Sequence, residues 1–168
     1  IRIYSLLYGK TTIPNSCSWS NVSRCNARLI LGENDDWKRH TVRKYLDKPL
    51  DVDLISLLNA RIEQNNELYD LTLKLVMNNS DGISSLARLM SNHTVQNYII
   101  LAGKECSSLD EKIGYCGADL ILYAQSLGLN TWWCGGMFNG KNALKHLYDK
   151  DVRVNGVIAI GYGKTQGV

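Results

Sequence analysis

One stretch constrains the fold of this chain more than any other: "SLDEKIGYCGADLILYAQSLGL", residues 108–129. Apolar residues recur along it at helical spacing, and Tyr115, Leu122 and Tyr123 form a second apolar stripe beside the first. We predict one long helix that is buried nearly all round, which in a small domain is either a central core helix or a helix shared with a partner subunit. The first stripe comprises Ile113, Cys116, Gly117, Leu120, Ile121, Ala124 and Leu127.

Both ends of this helix carry termination signals. Ser108 with Glu111 three residues later has the pattern of a capping box, and Gly128 stands where a left-handed C-terminal cap is expected. Gly114 and Ala118, together with a glycine of the first stripe, would let another backbone approach closely.

Shorter patterns surround this helix. A helix is predicted within residues 51–66, where leucines recur at helical spacing, and a second, short helix within 140–150. The order of elements shows no repeating βαβ rhythm, which indicates an α+β fold with a mixed β-sheet surrounded by helices. Strands are predicted in residues 71–79, 97–105, 130–136 and 154–163.

Composition excludes several classes of protein. A chain of 168 residues fits one domain, and 19 basic against 16 acidic residues leave a net charge of +3, which does not indicate a nucleic-acid surface. No run of apolar residues reaches the roughly 18 that a membrane span needs. The five cysteines show no spacing typical of metal ligands, so we expect no metal and a reduced, cytoplasmic setting.

The first 36 residues differ from the rest, because a polar run rich in Ser and Asn follows a short apolar start. We interpret residues 1–36 as an N-terminal extension, either mis-joined to the chain or a docking arm. Residues 37–168 form the predicted domain, which we expect to be truncated at its C-terminus.

The segment "GLNTWWCGGMFNG", residues 128–140, combines bulky and absent side chains. Trp132 and Trp133 suit opposite faces of a strand, whereas Gly135 and Gly136 expose backbone. Backbone can meet a flat ligand closely only where a side chain is absent, although a β-bulge or turn also favours glycine. Cys134 has no histidine near it in sequence, so we expect no catalytic thiol.

A basic cluster, "WKRHTVRKY", occupies residues 37–45. Its positive charges suit a single phosphate group, or else form a solvated face. In an extended segment Arg39, Thr41 and Arg43 lie on one side, while His40 and Val42 point away, so alternate residues can converge on one anion.

Three stretches together resemble the nitroreductase family. They are "RHTVRKYLDKPL" at 39–50, "EKIGYCGADLILYAQSLGLNTWWCGGMFN" at 111–139 and "VIAIGYG" at 157–163. The first is similar to the family's phosphate-binding motif, the second to its dimer-interface helix running into a flavin-facing strand, and the third to its closing strand. The resemblance implies an FMN-dependent oxidoreductase of the short branch, usually a homodimer.

The resemblance also implies site residues. By this resemblance the Arg-x-Thr-x-Arg segment binds the FMN phosphate. The glycine pair contacts the central flavin ring, with Gly136 as the best backbone donor. His40 is either a flavin contact or a packed side chain. No catalytic residue is implied, because the flavin carries the chemistry. The implied cofactor-binding set is Arg39, His40, Thr41, Arg43, Cys134, Gly135 and Gly136.

The implied reaction is a ping-pong cycle. NAD(P)H reduces FMN, and a small electron-poor acceptor such as a nitroaromatic or quinone then takes the electrons. The larger members carry a flavin-binding Pro-Ser-x-x-Asn-x-Gln-Pro-Trp segment that is not found here, and we expect the family's basic pair after the closing strand to be missing. A non-catalytic flavin- or small-ligand-binding dimer, and an inactive fragment, therefore stay open as alternatives.

Overall fold

The computed structural model describes residues 39–165, so the extension predicted at 1–36 lies outside the described residues. Helices and strands alternate along the described chain, beginning with a helix and ending with a strand. The helices are α1 (Val52–Tyr69), α2 (Ser85–Met90), α3 (Leu109–Ser126) and α4 (Gly140–Lys145), and the strands are β1 (Lys74–Val76), β2 (Tyr98–Gly103), β3 (Asn130–Cys134) and β4 (Arg153–Gly161).

The four strands form one sheet in the order β1-β2-β4-β3, and all three pairings are antiparallel. A single parallel bridge joins Thr41 to Thr131, so the segment before α1 lies along the outer edge of β3. The α+β prediction is confirmed. The parallel contribution to the sheet comes from this bridge alone among residues 39–165.

Both faces of the sheet are covered, because β2 is buried at all six positions and therefore needs a layer on each side. One face packs against α1 and α3, with Leu58 and Leu120 at the centre of that core. The other face packs against α2 and α4. Trp132 belongs to the second core and Trp133 to the first, so the prediction that they occupy opposite faces is confirmed.

The long helix predicted from residues 108–129 is α3. Gly128 has φ +76°, which is the left-handed conformation that the sequence predicted for its C-terminal cap. The capping box is wrong: Ser108 has φ −105° and ψ 9°, and its side chain caps no backbone N–H. Asp110, Gly114 and Ala118 are exposed, so α3 is buried on one side of the single chain rather than all round.

Of the strand predicted at 71–79, only the three residues of β1 are observed as strand. Asn66, near the end of α1, accepts a hydrogen bond from Leu73 N at 2.7 Å and donates one to Leu73 O at 3.0 Å. An amide side chain thereby satisfies backbone groups that a neighbouring strand would otherwise pair. Asn78, with φ 51°, interrupts the regular strand after β1, and Asn79 N then donates to Gln96 O at 2.7 Å.

Candidate functional site

The basic segment and β3 lie side by side. Val42 N donates a hydrogen bond to Thr131 O at 3.1 Å, next to the Thr41–Thr131 bridge. Val42 is buried, whereas Thr41 and Arg43 are exposed, so the side chains on either side of Val42 point away from the core. Arg39 is half-buried. The outward side of this segment therefore carries two guanidinium groups and a hydroxyl.

Tyr45 fixes the segment to the core. Its hydroxyl donates to Ala159 O at 3.3 Å and its backbone N–H to Thr94 Oγ1 at 3.0 Å. Leu46 N donates to Tyr162 O at 2.7 Å, on the far side of the same residue. Because a buried aromatic ring and three hydrogen bonds hold it, the segment is positioned before any ligand arrives.

Arg43 lies further along β3 than Thr41. Its guanidinium carbon stands 5.5 Å from the ring centroid of Trp132, a cation–π contact. Burial raises the pKa of the Cys134 thiol, and the positive charge of Arg43 offsets part of that rise. Arg43 therefore lies between the two ends of β3 rather than at its beginning.

A further basic residue joins this end of the sheet. Lys164 N donates to Lys44 O at 2.9 Å, and the neighbouring pair Tyr45–Gly163 forms an antiparallel bridge. Lys44 and Lys164 are thus opposite one another, and residues directly opposite in an antiparallel pair share a face. Both are exposed. Lys164 therefore places one basic residue directly after the closing strand, beside the basic segment.

The glycine pair lies at the other end of β3. Gly135 and Gly136 are exposed, and a Cβ atom built at Gly136 would meet nothing within 4 Å. At Gly135 a Cβ would approach the indole nitrogen of Trp133 to 3.3 Å. The backbone at Gly136 is therefore open to a ligand.

The outer edge of β3 supplies hydrogen-bonding groups. β3 is the last strand of the sheet, and successive residues of an antiparallel strand direct their backbone groups alternately toward and away from the neighbour. Thr131 O points away from β4, because it accepts from Val42 N. The backbone N–H and C=O of Trp133, two residues later, therefore point away from β4 as well. Among residues 39–165, no strand lies beside Trp133 on that side.

Cys134 contributes no reactive thiol. Its side chain is 1% exposed, and burial raises its pKa to about 12, an effect that the charge of Arg43 only partly offsets. A thiol of that pKa holds its proton at neutral pH. Cys134 is also paired with Val157 of β4, so neither its thiol nor its backbone is exposed in the single chain.

The two ends of the candidate site are separated by the length of β3. From Thr131, beside Thr41, to Gly135 the strand spans roughly 13 Å, at about 3.3 Å per residue. Cationic and hydroxyl groups stand at one end and bare backbone at the other. No cluster of His, Cys, Asp or Glu in the described residues could hold a metal ion, and no helix within 39–165 is long and apolar enough to cross a membrane.

Sequence reasoning missed a strand-like contact beside the glycines. Ile83 forms an antiparallel bridge with Phe138, Ser84 N donates to Met137 O at 3.2 Å, and Asn139 N donates to Gly82 O at 2.7 Å. The loop before α2 is therefore held against the residues that follow Gly136. Only the Ser84 cap of α2, which accepts from Ala87 N, had a local signature.

The structure is that of an α+β protein whose edge strand β3 has basic and hydroxyl side chains beside its beginning and open glycine backbone after its end. The chain belongs to the nitroreductase family: the family model described as "Putative TM nitroreductase" matches residues 37–168. No curated protein matches the sequence.

Solved structures share the fold. An FMN-dependent nitroreductase from Clostridium difficile R20291 aligns with a TM-score of 0.62 and 15% identity, over 81% of this chain and 87% of its own. A protein named NADH dehydrogenase/NAD(P)H nitroreductase from Bacteroides thetaiotaomicron aligns with a TM-score of 0.57 and 20% identity, over 86% of this chain and 88% of its own. A Desulfovibrio desulfuricans protein, solved in complex with FMN, aligns with a TM-score of 0.58 and 16% identity, over 79% of this chain and 86% of its own.

Proposed function

We propose that this protein is an FMN-dependent oxidoreductase that uses NAD(P)H to reduce a small electron-poor acceptor, such as a nitroaromatic or quinone. The observation that carries the proposal is the placement of the Arg39–Arg43 segment and the Gly135–Gly136 pair at the two ends of one edge strand. Family membership and the FMN and NAD(P)H in the names of structural relatives support the same cofactors.

The basic segment beside the first half of β3 suits the FMN phosphate. Arg39, Thr41 and Arg43 offer charged or hydroxyl donors on the outward side of a segment that Tyr45 already anchors. Hydrogen bonds to charged groups contribute about 1.5–3 kcal/mol each. Lys164, which follows β4 and lies opposite Lys44, adds positive charge near this segment.

The residues at the end of β3 suit the flavin ring. Gly136, with no side chain and open space around it, can present its backbone N–H to the ring, and Cys134 and Gly135 continue the same backbone. His40, half-buried beside Arg39, lies next to the proposed phosphate end of the cofactor.

When bound, FMN would accept hydride from NAD(P)H and pass the electrons to the acceptor in a ping-pong cycle. No side chain is assigned as a catalytic acid, base or nucleophile. The protein holds the phosphate, presents backbone donors to the ring and keeps the nearest thiol, Cys134, protonated.

We infer a cytoplasmic homodimer. On α3, Gly114 and Ala118 are exposed, and a Cβ at Gly114 would meet nothing within 4 Å of the single chain, so this face admits a second backbone. Cys106, Cys116 and Cys134 are all free thiols, which fits a reducing compartment.

The test is spectroscopic. Purified protein reconstituted with FMN is expected to be yellow after gel filtration, to bleach anaerobically with NADH or NADPH, and to regain its colour when a nitroaromatic or quinone is added. Protein that stays colourless contradicts the cofactor assignment. Protein that is yellow but is bleached by neither nicotinamide is a flavin-binding protein without this activity.

A further inference from the structure

Gly136 has no side chain that could hold it in place. A Cβ atom built there would meet nothing within 4 Å, so the position of its backbone depends on the residues before and after it. Before it, Cys134 is paired with Val157 in the sheet. After it come residues 137–139, which lie between β3 and α4. Whatever holds residues 137–139 therefore also determines where the backbone of Gly136 lies.

Residues 137–139 lie against the loop that precedes α2, residues 79–84. Two backbone hydrogen bonds, of 2.7 and 3.2 Å, and one antiparallel bridge join the two segments. They are the bond from Asn139 N to Gly82 O, the bond from Ser84 N to Met137 O, and the bridge between Ile83 and Phe138. Because three consecutive residues on each side take part, a displacement of the loop also displaces residues 137–139.

Asp81 anchors this loop. Its carboxylate accepts a hydrogen bond from Tyr98 Oη of β2 at 2.7 Å, and both of its oxygens lie 3.0 Å from His146 Nε2. Burial raises the pKa of Asp81, but the bonds from Tyr98 and His146 hold it below its ordinary value. A carboxylate can only accept hydrogen bonds, so Nε2 of His146 carries a proton and donates it.

His146 belongs to a different element, because it is the C-cap of α4. Its backbone O accepts a hydrogen bond from Lys74 Nζ at 2.6 Å, so β1 holds the residue as well. Asn142, one turn earlier on α4, donates to the backbone O of Asp81 at 3.2 Å. The loop is therefore attached to α4 through both the side chain and the backbone of Asp81.

We propose that His146 is a positioning residue for the flavin ring: through Asp81 it fixes the loop 79–84, and through that loop it fixes the backbone that follows Gly136. The effect on the ring rests on the proposed function, because it concerns a flavin bound at Gly136. The effect on the backbone does not, since every contact between His146 and that backbone lies within the protein. His146 acts at a distance and is not a catalytic residue.

A general loss of stability would have a different signature. The side chains of His146 and Asp81 are 27% and 35% exposed, and ion pairs this open contribute little to the stability of a whole domain. The contact between the loop and residues 137–139 depends on the pair directly. Removing the His146 side chain is therefore expected to loosen this contact more than the rest of the chain.

The first measurement uses flavin-free protein. In His146→Ala, the amide exchange of Ser84 and Asn139, the two backbone donors of the contact, is expected to become roughly 3- to 10-fold faster, the scale of losing one hydrogen bond. His146→Gln should restore slow exchange, because the glutamine amide can still donate to Asp81.

Two controls accompany the exchange measurement. Val42 N, which donates to Thr131 O beside the proposed phosphate end, should exchange at the wild-type rate in every variant. Lys141→Ala changes an exposed side chain on the same helix as His146 and should leave Ser84 and Asn139 unchanged.

The second measurement uses protein loaded with flavin. His146→Ala is expected to weaken the binding of FMN and of riboflavin by the same factor, again roughly 3- to 10-fold, because a looser backbone must be ordered when either ring binds. The visible circular dichroism of the bound flavin should change in this variant and return to the wild-type form in His146→Gln.

Three results would overturn the role of His146. The first is wild-type exchange of Ser84 and Asn139 in His146→Ala, and the second is an increase that is equal throughout residues 39–165. The third is weaker binding of FMN with unchanged binding of riboflavin, which would place the effect at the phosphate. A protein that binds no flavin contradicts the proposed function alone, and faster exchange of Ser84 and Asn139 then still supports the control of this backbone by His146.

Discussion

At the scale of single residues, Gly117 decides how α3 meets the sheet. A Cβ atom there would stand 2.3 Å from two ring carbons of Trp133, the residue that precedes Cys134 on β3. We expect Gly117→Ala to lower the free energy of unfolding by about 1–3 kcal/mol, as overpacking does, despite the better helix propensity of alanine. Urea unfolding followed by tryptophan fluorescence measures this.

Gly114→Ala is the matched control on the same helix. Its Cβ meets nothing within 4 Å in the single chain, so alanine is expected to raise the free energy of unfolding of the monomer by up to about 1 kcal/mol. Equal effects of the two substitutions would contradict the proposed contact between Gly117 and Trp133.

Asp81 makes the stability of the fold depend on pH. It accepts a hydrogen bond from Tyr98 Oη at 2.7 Å and lies 3.0 Å from His146 Nε2. Burial raises the pKa of Asp81, but the hydrogen bonds from Tyr98 and His146 outweigh it and hold the pKa below 3.8. The stabilisation is therefore present above about pH 4 and lost as the pH falls through the lowered value.

Asp81→Asn is expected to cost less than about 1 kcal/mol at pH 7, because the carboxylate is partly exposed. The difference between variant and wild type in free energy of unfolding should shrink below pH 3.8. Denaturant titrations at pH 7, 4 and 3 measure it. A difference that stays constant with pH would show that Asp81 acts only by packing.

At the scale of elements, the position of the basic segment depends on the residues that follow β4. Gly163 N donates to Asn130 Oδ1 at 3.0 Å, and a Cβ at Gly163 would stand 2.6 Å from that oxygen and 2.9 Å from a methyl of Val42. We expect Gly163→Ala to displace Val42, to weaken FMN binding without touching the ligand, and to speed amide exchange in residues 41–46. Normal exchange with normal affinity would contradict this.

The sequence predicts elements whose determinants are local. Helix α3, its end at Gly128 and strand β2 could be predicted from sequence. Each depends on a pattern of residues within a few positions of one another, namely the apolar stripes of α3 and the continuous apolar run of β2. The length of β1 could not be predicted, because Asn66 competes for the backbone of Leu73 from a different element. The six-residue α2 was missed because it buries only Ala87 and so lacks an apolar period facing the core.

The candidate site was predictable in part for the same reason. Spacing placed Thr41 and Arg43 on the outward side of Val42, which their exposure supports. The position of Arg43 over Trp132, the backbone pairing of Lys164 with Lys44, and the attachment of α2 beside Met137 all join residues distant in sequence. Such contacts follow from the sheet order, which no local pattern encodes.

At the scale of the whole molecule, the exposed side of α3 is expected to bind a second copy. Ala118→Arg would place a charged side chain where the two backbones approach and should convert a dimer to a monomer by light scattering. Ala60→Arg, an equally drastic change on the exposed side of α1, should leave the mass unchanged. A wild-type protein that is monomeric at micromolar concentration would contradict the dimer.

In the proposed holoenzyme one cofactor reaches from Arg39 to Gly136. The most direct measurement is a pair of titrations, with FMN and with riboflavin, which lacks the phosphate. Arg39→Ala should weaken FMN binding roughly 10- to 100-fold and leave riboflavin unaffected, since one charge-assisted hydrogen bond is lost. Gly136→Val should weaken both ligands alike. If Arg39→Ala weakens both equally or neither, the two ends of β3 do not hold the same molecule.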